Sequence, residues 1–486
     1  MMTDYFKISK FFLYLAPLSV VIVSTSTLFP FIVGKYAFFR TTVGLALIFF
    51  LIGLLFDKQR LSFVNDQLSN IFKRPLVIAV SLFVFIFVLA GFFGVDPANS
   101  FWSNFERGEG GLQMIHLWLF FSLSILLFRE EKDWRTIFRV MIFAGVLMAL
   151  YGFLALFQDS AQPHFFRAIG PSIYDRDPMT PDIVGSAFSW SNYRFAGTLG
   201  NPAYVAIYSI FLLFYAAYLY FAKHYKNPFS WQSVLLYILG IIFLIVFWLA
   251  ATRGAFMGLV ATLMAFIFYF IYSKKAYRKW LFLVMALIVL TVSAMVYFKD
   301  AAFVKSIPGS RLFDISFSAQ TFQHRTFMWK MAWDGFKERP LLGWGPENYL
   351  EVFDRHFNIK YFKPSEGFGA WFDRAHSIYF DYLVETGILG FLSFIGIWAV
   401  FYWHSLKLLI SNNLQIIAQN YRQKRDSNKD IFDSRGLLIQ RALIFALPIS
   451  YLVQGIVLFD ILPIYINLFM FLAFAVYKFN LKPQNV

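Results

Sequence analysis

Cysteine is absent from the 486 residues, which excludes disulfides, thiolate catalysis and cysteine–zinc sites. Charge is scarce as well. Asp, Glu, Lys and Arg make up 15% of the chain, where soluble domains carry about a quarter. Because 59% of residues are hydrophobic, against about 45–50% in soluble domains, a water-soluble core of any size is excluded. No G-x-x-x-x-G-K-[ST], H-E-x-x-H or G-x-S-x-G occurs, so nucleotide, zinc and serine hydrolysis have no support. A net charge of +15 would suggest nucleic acid in a soluble protein. Here most cations sit in short loops between apolar runs, and no nucleic-acid partner is expected.

What the chain has is apolar runs of spanning length and 64 phenylalanines. The runs fall near 11–33, 39–56, 75–94, 111–128, 137–157, 200–222, 232–250, 254–273, 280–298, 379–403, 437–459 and 462–479. At this length only helices satisfy their own backbone in lipid. The expected fold is therefore an all-α integral membrane protein, a single polytopic domain over 1–486 with about 12 transmembrane helices. Lys7 and Lys10 precede the first run as in a signal peptide. No small-residue cleavage site follows, so the run is expected as a retained helix.

Alternate loops are rich in Lys and Arg: Lys58, Arg60, Lys73 and Arg74, then Arg129, Lys132, Arg135 and Arg139, then Lys274, Lys275, Arg278 and Lys279, and a last group from Lys407 to Arg441. By the positive-inside bias both termini are expected in the cytoplasm. A long extracytoplasmic loop, 299–376, with amphipathic helices then precedes helix 10. Three outer segments keep cations against that bias: Arg107 in 95–110, Arg167, Arg176 and Arg194 in 158–199, and nine Lys and Arg from Arg311 to Arg374 in 299–376. An anionic ligand accounts for them.

Within the long loop, Trp329, Ala332, Trp333 and Phe336 follow the i, i+3, i+4, i+7 spacing of an amphipathic helix. Arg325 shares that face, either paired with a carboxylate or aimed at a phosphate. Arg339-Pro340-Leu341-Leu342-Gly343-Trp344-Gly345-Pro346 follows as a tight turn. His376 closes the loop beside Asp373 and Arg374, directly before a span; it is either a cap or packing residue, or a proton acceptor for a hydroxyl. Arg253, in Thr252-Arg253-Gly254, opens a helix whose N-terminus favours anions; snorkelling to head groups is the alternative. Asn201 before Pro202 suits a helix cap, which leaves Arg194 unexplained. Arg107 lies in the glycine-rich Phe105-Glu106-Arg107-Gly108-Glu109-Gly110-Gly111, where a salt bridge within the loop is the simple reading.

Taken in order, the segments Gly197-Thr198-Leu199-Gly200-Asn201-Pro202, Thr252-Arg253-Gly254, Arg325 with Trp329, Arg339 to Gly345, and Ala375-His376 with Glu385-Thr386-Gly387-Ile388-Leu389-Gly390 resemble the O-antigen ligase family over about 186–400. Glu106-Arg107 is a weaker upstream match. The family also holds O-antigen polymerases and protein O-oligosaccharyltransferases. The resemblance implies a metal-independent, cofactor-free, inverting glycosyltransferase of the bacterial inner membrane, acting on its outer face. An undecaprenyl-diphosphate-linked glycan would be the donor, and a hydroxyl on a lipid, glycan or protein the acceptor. Arg253 and Arg325 would hold the diphosphate and His376 would orient or deprotonate the acceptor. Arg107, Arg194, Asn201 and Arg374 are expected as further substrate contacts. Ser377 follows the histidine where the family often has Asn, a departure that bears on its immediate geometry. A transporter is a weaker reading, since such proteins concentrate ionisable groups within the spans.

Overall fold

The computed structural model describes residues 4–480 except 25, 28, 57–69, 105–106, 159–193, 274–276, 308, 317–319, 363–371 and 423–427. Among the described residues the chain is helical and contains no strand. Its α-helices are α1 (Asp4–Leu15), α2 (Val33–Phe56), α3 (Pro75–Phe92), α4 (Pro97–Trp102), α5 (Gly111–Leu127), α6 (Glu131–Gln158), α7 (Pro202–Leu219), α8 (Trp231–Leu249), α9 (Arg253–Ser273), α10 (Arg278–Tyr297), α11 (Ala302–Lys305), α12 (Gln320–Glu338), α13 (Tyr349–Arg355), α14 (Ile378–Arg422), α15 (Asn428–Gly455) and α16 (Leu462–Phe479). Local signals start several of them: Pro75 and Pro463 sit in first turns, and Asp96, Asn201 and Ser230 cap α4, α7 and α8.

Ten helices among the described residues are long and apolar enough to cross a membrane, which makes the chain a multi-pass membrane protein. Each corresponds to one of the twelve apolar runs. The run at 111–128 forms the shorter helix α5. The run at 11–33 is not one helix: α1 ends at Leu15, a 3-10 helix covers Ala16–Val21, and turns lead to α2 at Val33. Pro17, in the first turn of the 3-10 helix, and the polar residues 24–27 with Pro30 favour that interruption. Of the expected functional segments, Glu106, Arg167, Arg176 and 186–193 lie outside the described residues.

Two compact units divide the chain. The first comprises Met1–Val140, Ser316–Phe401 and Gly455–Val486. Its loop segments pack on a core of Met328, Met331, Trp344, Tyr349, Val352, Phe353 and Val384. Large side chains such as these each contribute about 1.5–3 kcal/mol when fully buried. The Trp344 indole N–H donates to Gly335 O at 2.8 Å and the Tyr349 hydroxyl to Met328 O at 2.9 Å, so the polar ends of both residues are satisfied. On α12 the buried face runs through Met328, Met331, Ala332 and Gly335, whereas Trp333 is half exposed. The expected apolar stripe is rotated accordingly.

The second unit comprises Met141–Ile315 and Tyr402–Gln454. In it α7 is buried almost all round, while α10 has no fully buried residue. Gly258 of α9 lies against the Ser450 backbone of α15, where a Cβ would come within 2.8 Å of Ser450 O.

Candidate functional site

In the first unit a spanning helix is broken and mended by the loop before it. Gly387 has φ 63 inside α14. The two helical hydrogen bonds lost there are replaced in pairs: Trp344 N–H and Gly345 N–H donate to Val384 O and Glu385 O at 2.9 and 2.8 Å, while Ile388 N–H and Leu389 N–H donate to Pro340 O and Leu341 O at 2.8 and 3.3 Å. A Cβ on Gly387 would stand 2.3 Å from Leu341 O, and one on Gly343 2.5 Å from Val384 O. Glycine is required at both positions for close approach and for positive φ.

Beside this joint Arg374 is buried, at 6% exposure. It pairs with Glu347, with Glu385 at 2.7 Å and with Glu109 at 3.6 Å. Glu347 also accepts from the Ser103 hydroxyl at 2.7 Å, and Glu109 accepts the Leu462 N–H at the start of α16 at 3.0 Å. With Asp381 and Asp460 these groups line a cavity of about 20 Å³, room for about one water molecule. Burial alone would discharge Arg374. Glu347, Glu385 and Glu109 outweigh it and hold the guanidinium well above its ordinary range. Burial pushes the Glu109 carboxyl up to about 8, against the pull of Arg374.

His376 borders this cluster. Its φ is 57, a left-handed conformation that costs a residue other than glycine about 1–3 kcal/mol. The ring lies edge-on between Phe372 and Phe459, with centroids at 5.2 and 5.0 Å. Burial, reinforced by the charges of Arg325 and Arg107, pushes its pKa down to about 4, so the ring is neutral near pH 7. Nδ1 lies 3.2 Å from Arg374 O. A carbonyl can only accept, so Nδ1 carries the hydrogen and Nε2 the lone pair. Arg107 stacks on the Phe459 ring at 4.9 Å and grips Asp373 through two hydrogen bonds of 2.6 and 2.9 Å. Burial raises the Asp373 carboxyl, but the hydrogen bond and charge of Arg107 hold it below the usual range. Trp329 stacks on Phe380 at 5.4 Å, fixing α12 against the start of α14. Arg325 stands one turn earlier on α12, and its charge acts on both His376 and His324.

The second unit holds a separate cationic group. Phe313 packs on Trp248 and Phe256 at 6.1 and 5.6 Å, which sets Asp314 beside the first residue of α9. Asp314 accepts from Arg253 at 2.8 Å and from Lys299 at 2.7 Å, and the charge of Arg311 acts on both Arg253 and Asp314. The hydrogen bond from Lys299 is foremost in keeping the Asp314 carboxyl low, assisted by Arg253. The preceding hairpin is tight: Ala251 has φ 46, and the Thr252 hydroxyl donates to Ala250 O at 3.1 Å. Arg194 Nη2 lies 3.4 Å from the Thr252 hydroxyl, and Phe195 N–H donates to Leu249 O at 3.0 Å. The motif around Gly197–Pro202 is thereby joined to Thr252-Arg253-Gly254.

The expected residues thus fall into two groups. Arg107, Arg325, Arg374 and His376 share the first unit, and Arg194, Asn201 and Arg253 the second. Asn201 caps α7 by accepting the Ala203 N–H at 2.8 Å. Arg107 forms a salt bridge with Asp373, and Arg374 is enclosed by carboxylates. Sequence reasoning assigned no role to Glu109, Glu347, Asp381, Glu385, Asp314 or Phe459. For Asp381 and Glu385 a signal existed, since acidic residues inside an apolar span are costly and need a reason. The carboxylates around Arg374 are scattered from position 109 to 460, and spacing cannot reveal them. Among the described residues no group of His, Asp and Glu is arranged to hold a metal ion.

No curated protein matches the chain. Residues 238–395, a stretch containing Arg253, Arg325, Arg374 and His376, match the family model described as O-antigen ligase, the family that the motifs of the chain resemble.

Proposed function

We propose that this protein transfers a glycan from an undecaprenyl-diphosphate carrier to an acceptor hydroxyl on the outer face of a bacterial inner membrane, with both termini cytoplasmic. The observation that carries the reading is His376: a neutral imidazole with Nδ1 committed to Arg374 O, Nε2 left as base, and the charge of Arg325 close by. The acceptor O–H gives its proton to Nε2 while its oxygen bonds to the anomeric carbon. The anomeric C–O bond breaks on the opposite face, with inversion, and the electron pair leaves on the diphosphate. Fixed guanidinium charge stabilises that leaving group without reorganisation. Arg325 supplies it from α12. Arg253, in the second unit, is assigned to the diphosphate by the family resemblance. A histidine near pKa 4 is a weak base at rest. The hydroxyl becomes strongly acidic as its oxygen bonds to carbon, and a diphosphate nearby raises the basicity of the ring.

Arg374 and Asn201, first expected at the substrate, are assigned instead to scaffold and cap. The acceptor decides between ligation to a lipid, polymerisation onto another carrier-linked unit, and protein glycosylation. In a deletion strain, accumulation of full-length carrier-linked glycan marks a ligase, whereas loss of chain length marks a polymerase. Arg325→Ala and His376→Ala are each expected to fail to restore transfer at normal expression. Full restoration by either removes that residue from the mechanism. Transfer should persist in excess EDTA, and strict dependence on added divalent metal would overturn the cofactor-free assignment.

A further inference from the structure

We propose that Asp381 is a positioning residue for His376, acting through the backbone on both sides of it. The inference rests on the reading of His376 as the proton acceptor. Asp381 Oδ1 accepts the Ala375 N–H at 2.7 Å, and the Asp381 N–H donates to Ser377 O at 2.8 Å. One residue therefore holds the positions immediately before and after His376. The residue so bracketed is the one in the left-handed conformation, which a side chain other than glycine rarely adopts without surrounding constraint. A third tether, from Ile378 N–H to Leu458 O at 3.0 Å, fixes the far side.

The carboxylate is costly where it stands. Asp381 is 5% exposed in the first turn of an apolar span, where an apolar residue would cost nothing to desolvate. Its Oδ2 has no hydrogen-bond partner among the described residues, and the residue lines the small cavity beside Arg374. The charge of Arg374 and the Oδ1 bond to Ala375 both favour the carboxylate there, and the bond is its one direct hydrogen bond among the described residues. By fixing the peptide units around residue 376, Asp381 sets the direction in which Nε2 is presented. An error of about 1 Å in such a group lowers rate by about a hundredfold.

The test uses the full chain in two ways. Transfer is measured by complementation of the deletion strain, whose own carrier-linked glycan is the donor. Ring tautomer is read from the 15N spectrum of histidine-labelled protein in lipid nanodiscs, with His376 assigned by the signal missing in His376→Gln. Asp381→Ala should lower transfer about a hundredfold and move the His376 ring signals away from the Nδ1–H form. Asp381→Asn, which keeps an oxygen for Ala375, should restore both. Unchanged His376 signals in Asp381→Ala overturn the inference, whatever happens to transfer. If Asp381→Ala does not fold, displaced ring signals in Asp381→Asn overturn it instead. Activity in His376→Ala would defeat the role of His376 as base, while the spectra still decide whether Asp381 positions that ring.

Discussion

Arg374 and Arg253 are the same residue type in opposite circumstances. Arg374 is buried in the first unit and outnumbered by the carboxylates that meet it, Glu109, Glu347 and Glu385. Arg253, in the second, is partly exposed and shares the single carboxylate of Asp314 with Lys299. A guanidinium enclosed by acids is spent on holding elements together. One among surplus cations keeps attraction for an anion from outside. Position in a motif does not separate these cases; the local count of opposite charges and the degree of burial do.

Removing Arg374 should give the largest effect. Arg374→Ala leaves buried carboxylates unpaired, and a loss of about 3–5 kcal/mol is expected, seen as a collapse of thermal stability and monodispersity in detergent. Arg253→Ala should leave stability nearly unchanged and impair transfer. If the two variants behave alike, the contrast between them is lost. Next in size is Gly387→Ala, which adds a Cβ against Leu341 O at a positive φ and should cost about 1–3 kcal/mol; an unchanged Tm would refute the close approach.

A pH series sharpens the contrast further. The folded chain keeps His376 neutral down to about 4, whereas an unperturbed histidine takes its proton near 6.5. This contribution to stability is therefore present above pH 6.5 and is lost as pH falls toward 4. The kcat/KM of transfer, which reports the donor-free enzyme, should likewise hold well below pH 6.5, and an acid limb in it at an ordinary histidine pKa would contradict the site. The smallest effect is expected at the exposed pair: Asp314→Asn frees Arg253 and Lys299 and should tighten donor binding by up to about fivefold, read as a lower KM. Weaker binding would mean that Asp314 serves the donor directly.

Much of the fold was legible because periodicity and length report on lipid. Among the described residues ten of the apolar runs form spanning-length helices, and Asn201-Pro202 announced the start of α7. The failure at 11–33 came from reading continuity of apolar character as continuity of helix, although Pro17 and the polar residues near 24–27 interrupt it. Around the site, Arg325 and Arg253 stood out because cations are unusual on loops expected to be translocated, and His376 because it closes the long loop beside Asp373 and Arg374, directly before a span. Their partners did not. Asp373 meets Arg107 across 266 positions, and Glu109 meets Leu462 across 353; only tertiary packing makes such pairs. The turn at Pro340–Gly345 and the motif at Glu385–Gly390 were both visible, yet nothing in either says that one completes the other.

That completion has a consequence for biosynthesis. A continuous helix enters the bilayer with its backbone already satisfied, but α14 has two carbonyls and two amides at Gly387 that Pro340–Gly345 satisfies. The supplier is made about forty residues earlier, on the loop that directly precedes the span. For this span, partition into lipid and folding of the preceding loop form one event, and a loop transplanted without its helix would leave both halves of the seam open.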